Sequence, residues 1–452
     1  MGAITLRQAA QWCGGTVEEK YADLTFLGAN IDSRKINPGE LFIALMGERD
    51  GHDYIPMAME RGAAAVLCSR KCGDWPAIIV EDPRLALGDI ARAERKRIGM
   101  KVVGVTGSVG KSTTKEMIAQ VLEGTYRVAK TPANHNNDLG MPMAILAMPE
   151  DTQVAVLEMG MNHFREIAYL TSIAQPNVAV IINIGTMHIE HLGSKEGILK
   201  AKMEILEGMR EKDTVIFNGD DPLLWSQREL SHMDLRYFGK ENEACQVRAE
   251  NIRQADYTSF TVRAGDVSFP VELAVEGDHY ISDALAAVSV AMAMDVPTAK
   301  IQENLSQFRN MAGRQEIFTY KDYTIIKDCY NAGPESMAAA LEVLGRKEGR
   351  HVAVLGDMLE LGACTQAEHY RIGRIAARKA DLLFAYGPNG TRVLSGAMTG
   401  GMPDTRAMAF EDRERLIMTL KRMAKPGDVL LFKGSRGMRM ELILEGFMKE
   451  ET

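Results

Sequence analysis

Apolar residues in this chain come in short runs separated by turn-forming residues, and the spacing of those runs changes along its length. Over the first 82 positions, LFIAL at 41–45 before Gly47, AAAVLC at 63–68 and AIIV at 77–80 before Asp82-Pro83 predict strands, with a helix over 55–61. Asp82-Pro83 has the form of a helix start, and an amphipathic stretch continues from it to position 98. A small α/β domain over 1–82 follows from this boundary.

From Lys101 the rhythm becomes strand, Gly-rich turn and helix: KVVGV, TGSVGKS, then TTKEMIAQVLEG. Further strands are predicted at 154–157, 178–184 and 214–217, separated by helical segments, which implies a largely parallel sheet covered on both faces. Alternation in TSFTVRA and VSFPVELAV within 235–275 predicts an antiparallel extension, and 283–294 is an Ala-rich helix. The line Asn310-Met311-Ala312-Gly313 reads as a linker, placing a central domain at 83–312 and a third at 313–452. The third carries strands at 324–326, 351–355, 382–386 and 429–432, each followed by a Gly-containing loop and a helical pattern, so it is a second doubly wound unit.

Composition narrows the function classes. A length of 452 residues suits about three domains, and 46% hydrophobic with 25% charged residues describes a folded chain rather than a disordered one. A net charge of −8 has the wrong sign for a protein held to nucleic acid by phosphate charge. No run approaches the roughly 18 to 20 apolar residues that span a bilayer, and the first residues lack a leader pattern, so a cytoplasmic protein without a membrane partner is expected. The six cysteines, Cys13, Cys68, Cys72, Cys245, Cys329 and Cys364, form no CxxC pair and read as reduced thiols.

The sharpest chemical signal is Thr106-Gly107-Ser108-Val109-Gly110-Lys111-Ser112-Thr113, between an apolar strand and a helix. Glycines let the backbone wrap an anion, N–H groups face its oxygens, Lys111 adds positive charge and Ser112 can reach Mg²⁺. The strict GxxxxGK(S/T) spacing is not met, because Val105 stands at its first Gly position. Glu158 follows a strand at the sheet end where ligands gather in open α/β folds, and is placed to hold nucleotide-bound magnesium. His188 sits similarly after VAVIINI, although position alone does not favour it over His191. Lys202, within a helical stretch at 195–209, reads by itself as a solvated charge, since an ammonium cannot ligate Mg²⁺.

With Asp32-Ser33-Arg34, LFIALMGERDGHDY, TPANHNNDLGMP, LEMGMNH, MHIEHLGS and KAKMEI, these strings make nearly the whole chain resemble the Mur ligases, ATP-dependent amide-forming enzymes of peptidoglycan assembly. DCYNAGPESMAAAL, LGDMLELG and KGSRGMRME are similar to the branch that joins D-alanyl-D-alanine to UDP-MurNAc-tripeptide. The resemblance implies an α/β, three-domain Mur ligase architecture: an N-terminal UDP-sugar domain, a central P-loop ATPase domain and a C-terminal Rossmann-like domain. It implies that Lys111 contacts the terminal phosphates, that Ser112 and Glu158 bind one Mg²⁺, and that His188 helps bind a second. Lys202 matches the family lysine that CO₂ carbamylates, which turns a cation into an anion able to support a metal. Asn136 and Asn137 would lie near the phosphates, His279, Asp283, Arg314 and Asp328 would serve ATP, and Asn331, Lys433, Ser435 and Arg436 would lie near the reacting groups. Ser33, Arg34, Gly47 and His52 would line the uridine nucleotide site, and a monomer is expected.

Two departures from the family pattern stand out. Tyr280 and Asp283 occupy positions that are usually Asn, which alters the adenine contacts because an ionised carboxylate accepts hydrogen bonds but cannot donate them. Gly333 likewise replaces an Asn. The implied reaction forms an acyl phosphate from the tripeptide carboxylate and ATP, which the dipeptide amine then attacks. The alternatives are a Mur-type ligase for another acceptor or acyl substrate, and a nucleotide-binding protein that makes no amide.

Overall fold

The structure, a computed structural model, describes residues 2–230, 232–255 and 257–449. Its first sheet runs Thr16–Val17, Ala77–Ile79, Ala65–Cys68, Leu41–Ile43, Ala29–Asn30, with the last four strands parallel. The helix Pro83–Ile98 starts where the sequence places it: Asp82 Oδ1 accepts from the Arg84 and Leu85 N–H groups, and Gly99 ends it in the left-handed region at φ 73°. A helix that the sequence reading omits, Leu6–Cys13, is closed by a reciprocal Thr5/Gln8 cap.

The central sheet has nine strands, in the order Val267–Leu273, Thr258–Ala264, Val247–Gln254, Asp234–Gly239, Thr214–Asn218, Val178–Ile181, Lys101–Thr106, Val154–Glu158, Val128–Lys130. Seven are parallel. The antiparallel extension is confined to the hairpin Thr258–Ala264 with Val267–Leu273, which turns at Gly265. Asp234–Gly239 and Val247–Gln254, read from sequence as part of that extension, continue the parallel array instead. Side-chain alternation cannot tell the two apart, because both put every second residue on one face. Val102, Ala155, Leu157 and Ile181 point into one core while Val103, Val105, Val156 and Val180 point into another, so both faces are dry. On the second face the helix Asp278–Ala293, which begins more than a turn earlier than expected, packs on Lys111–Leu122.

The third sheet runs Glu316–Tyr320, Tyr323–Asp328, Asp428–Lys433, Arg350–Gly356, Leu382–Tyr386, Ala407–Phe410. Its four inner strands are those expected; the two edge strands are additional, and the first is antiparallel. Among the described residues no helix is long and apolar enough to cross a membrane, and all six cysteines are free thiols.

Candidate functional site

A cleft of about 490 Å³ lies between the carboxyl ends of the central and C-terminal sheets, lined from one side by residues 108–113, Asn136, Glu158 and His188 and from the other by Arg314, Asp328, Tyr330 and Lys433. This is where open α/β sheets take their ligands, since loops after parallel strands gather at one end.

The loop 107–110 leaves the strand Lys101–Thr106 and turns into the helix Lys111–Leu122. Gly110 has φ 85°, and a Cβ there would stand 2.8 Å from Asp283 Oδ1, so glycine is required on two counts. The Ser108 and Val109 N–H groups converge, both donating to Asn183 Oδ1 at 3.0 Å. Asn183 was not singled out in the sequence, although it is the one polar residue of the run VAVIINI. Lys111 Nζ folds back to donate to the Gly107 and Ser108 carbonyls at 2.9 and 3.2 Å, and its removal from water lowers its proton affinity. Thr106 and Thr113 are buried at the two ends of the loop.

Ser112 Oγ donates to Glu158 Oε2 at 2.7 Å and accepts from Arg314 Nη2 at 2.9 Å, which links the two sides of the cleft. Asn136 Nδ2 donates to the other Glu158 oxygen at 2.8 Å, and the Glu158 N–H is held by Thr131 Oγ1 at 3.0 Å. Asn137 works differently, its Oδ1 accepting the Gly140 N–H at the start of the helix Gly140–Leu146. Glu158 is 2% exposed, not a surface carboxylate.

Lys202, read alone as solvated, is 2% exposed, and its side chain makes no hydrogen bond or ion pair with the described residues. Burial, and then the neighbouring Lys111 charge, push its pKa well below the ordinary lysine value. His188 adopts φ 63°, and its Nδ1 lies 2.6 Å from Glu360 Oε2 of the C-terminal unit. Burial, Lys111 and Lys202 hold its pKa down against the pull of Glu360. His191 is exposed and stacks on His163 instead.

On the opposite wall Arg314 lies over the Tyr330 ring at 4.1 Å, and Lys433 Nζ donates to Asp328 Oδ2 at 2.6 Å and to the Asn331 carbonyl at 3.1 Å. Asp283 is buried, with Oδ1 accepting from Thr114 Oγ1 at 2.8 Å and Oδ2 unpartnered; burial pushes its pKa up to about 7. His279 is half-buried, its ring 4.1 Å from that of the buried Tyr280. Gly333 has a local reason: a Cβ there would run into Met187 Sδ. Ser435 Oγ donates to the Ala332 carbonyl and accepts from the Leu359 N–H, while Arg436 is exposed and pairs with Glu441. Neither Ser435 nor Arg436 lines the cleft. Glu335, another residue missed in sequence, accepts from the Thr186 N–H at 3.0 Å and its hydroxyl at 3.1 Å across the domain boundary.

The first-domain residues are not among those lining the cleft. Arg34 is exposed and pairs with Asp32, Ser33 is buried against Met57, and Gly47 lies in the turn closed by the Met46–Asp50 bridge. His52 is buried, with Nδ1 at 2.6 Å from Asp50 Oδ1 and Nε2 at 3.2 Å from the Ser69 N–H. Both its ring nitrogens are engaged within the domain.

Three family models match the chain: "Mur ligase family, catalytic domain" over 25–95, "Mur ligase middle domain" over 105–291 and "Mur ligase, glutamate ligase domain" over 313–436. UDP-N-acetylmuramoyl-tripeptide--D-alanyl-D-alanine ligase of Bacillus subtilis is 38% identical, with 98% of each chain covered, and that of Escherichia coli is 35% identical, with 100% of each covered. The crystal structure of MurF from Acinetobacter baumannii superposes with TM-score 0.92 at 32% identity over 100% of both chains. MurF ligase from Thermotoga maritima in complex with ADP superposes with TM-score 0.83 at 31% identity, covering 94% of this chain and 97% of that one. On its matched domains, full-length relatives and shared three-unit architecture, the chain belongs to the Mur ligase family.

Proposed function

We propose that this Mur ligase acts in the cytoplasm, as a monomer, to join D-alanyl-D-alanine to UDP-N-acetylmuramoyl-tripeptide with hydrolysis of ATP to ADP and phosphate. The observation that carries the reading is the cleft with unlike walls: a phosphate loop backed by Glu158 on one side, and Arg314, Asp328 and Lys433 on the other. The acyl and amine substrates follow from the activity named for its full-length relatives.

In this reading residues 1–82 hold the UDP-sugar, with Ser33 and Arg34 toward the nucleotide; 83–312 hold ATP and 313–452 bring in the dipeptide. Residues 107–113 cradle the phosphates through backbone N–H groups, and Lys111 leaves the loop carbonyls for the terminal phosphate. Asn183 Oδ1 already collects two of those N–H groups, so it marks where a phosphate oxygen would take them. The tripeptide carboxylate attacks the γ-phosphate to give an acyl phosphate, and the dipeptide amine displaces phosphate from it. Closure of the cleft keeps water from that intermediate.

Ser112 Oγ and a Glu158 oxygen, 2.7 Å apart, are the hard donors that Mg²⁺ prefers. No group of three or more His, Cys, Asp or Glu side chains is assembled for a metal among the described residues, so phosphate oxygens would complete the shell. When bound, the ion offsets the repulsion between a carboxylate and a polyanion. Lys202 fits carbamylation by CO₂ on chemical grounds: an amine kept unprotonated by burial is nucleophilic, and the anionic product suits a site beside Lys111 and His188.

The test is phosphate release from Mg-ATP with UDP-MurNAc-tripeptide, with and without D-alanyl-D-alanine, followed by mass analysis. The expected result is turnover requiring both substrates and a UDP-MurNAc-pentapeptide product. Turnover with a diamino acid or glutamate in place of the dipeptide would overturn the substrate assignment.

A further inference from the structure

Far from the cleft, the central sheet carries a second concentration of positive charge. Lys101 begins the strand Lys101–Thr106, Asn177 immediately precedes Val178–Ile181 and Asp213 immediately precedes Thr214–Asn218. These positions mark the amino ends of the strands, about 20 Å from the phosphate loop at 3.3 Å per residue. Together with Arg95, Lys96, Gln175, Gly208 and Arg210 they line a pocket of about 340 Å³.

Its deepest cation is Arg95, on the helix Pro83–Ile98 and 9% exposed. Nη2 donates to the Gln175 carbonyl at 2.8 Å, but Nε is buried with no hydrogen-bond partner. An unpaired guanidinium N–H away from water is costly, and burial together with Arg210 lowers the proton affinity of this group. Lys96, Lys101 and Arg210 form no ion pair with the described residues. The single carboxylate in the wall, Asp213, is engaged by the Arg210 N–H at 2.7 Å. Asn177 adds an amide whose oxygen accepts the Val102 N–H at 3.0 Å, which leaves its NH₂ to donate.

Clamping the carbonyl end of the helix Glu166–Ala174 accounts for Arg95 Nη2. It does not account for the orphaned Nε, or for three further cations around one concavity in a chain of net charge −8. We propose that this pocket is a second anion site, distinct from the ATP cleft, that takes a small phosphate-bearing molecule. Arg95 supplies the buried donor, Lys101 and Arg210 close over the anion from the rim, and a dianion matches the excess of cations over the one engaged acid.

The experiment is calorimetric titration of the intact chain with pyrophosphate, inorganic phosphate and glycerol 3-phosphate. Arg95→Ala removes a clamp and threatens folding, so the exposed Lys101 and Arg210 are the residues to change. In a Lys111→Ala background, which disables the phosphate loop, at least one of the three ligands should still bind, and Lys101→Ala with Arg210→Ala should weaken that binding by about tenfold or more. The rim substitutions in the otherwise intact chain should leave ATP turnover in place. Preference for inorganic phosphate and pyrophosphate over glycerol 3-phosphate would identify free phosphate as the occupant, and the reverse a phosphate ester. No binding by any of the three to the Lys111→Ala chain, or binding that ignores the rim substitutions, would overturn the proposal.

Discussion

Two regions of this molecule carry residues that the resemblance assigns to ligands, and the structure treats them differently. Around the loop 107–110 the polar groups at the centre of the cleft are tied to groups distant in sequence, Ser112 to Glu158 and Arg314, Asn136 to Glu158 and Asp328 to Lys433, while Lys111 and Asn137 are held by near neighbours. In the first domain the exposed Arg34 is tied locally to Asp32, and the longer ties, Ser33 to Met57 and His52 to Ser69, hold buried groups within the domain. The first region is built by long-range packing and holds its groups in place before a ligand arrives. The second is built by turns, and its exposed Arg34 must still be ordered by whatever it binds. Chemistry should therefore concentrate in the first and recognition in the second.

Substitutions can break that contrast. The largest effect is expected for Lys111→Ala or Glu158→Ala, each lowering kcat by about 10³-fold or more in a chain that keeps its circular dichroism spectrum. Normal turnover in either variant would remove the cleft from the chemistry. Lys202→Ala should lower turnover by about 10²-fold, with part of the loss restored by a short carboxylic acid that replaces the carbamate; a lysine that merely packs would show no such rescue.

Asp283→Asn sharpens the same comparison through stability. The folded-state pKa of Asp283, about 7, lies above the ordinary aspartate value of 3.8, so the native state holds a proton that the unfolded state releases. Wild-type stability should fall as pH rises from about 4 to 7, and the neutral amide should not share that loss. The variant should melt with wild type near pH 4 and exceed it by about 4 kcal/mol above pH 7, read from thermal unfolding at several pH values. The smallest effect is expected for Arg34→Ala: about a tenfold rise in KM for the UDP-substrate with kcat nearly unchanged, by steady-state kinetics. A matching fall in kcat would place Arg34 with the cleft residues.

Much of this was legible in the sequence where one local signal suffices. Asp82-Pro83 set a helix start, apolar runs set the inner strands, and the Gly-rich turn before Lys111 set the strand-to-helix loop that lines the cleft. What escaped depends on partners far along the chain. Lys202 sits in an ordinary helical pattern, and only tertiary packing excludes water from it. Asn183 and Glu335 are common polar residues whose meaning comes from the Val109 N–H and from Thr186, 74 and 149 residues away. The edge strands Glu316–Tyr320 and Ala407–Phe410 were missed because half-exposed edges carry a weaker apolar signal than buried centres.

The contacts of Glu335 with Thr186 and of Glu360 with His188 join the two halves of the cleft. Each link has one partner that is uncharged near neutral pH, Thr186 in the first and His188 in the second, and polar links of this kind contribute about 1 kcal/mol each. Breaking both shifts the ratio of closed to open molecules by only about tenfold to thirtyfold. The two walls are thus held together lightly: mild denaturant should widen the distance between labels on them well before it unfolds either sheet.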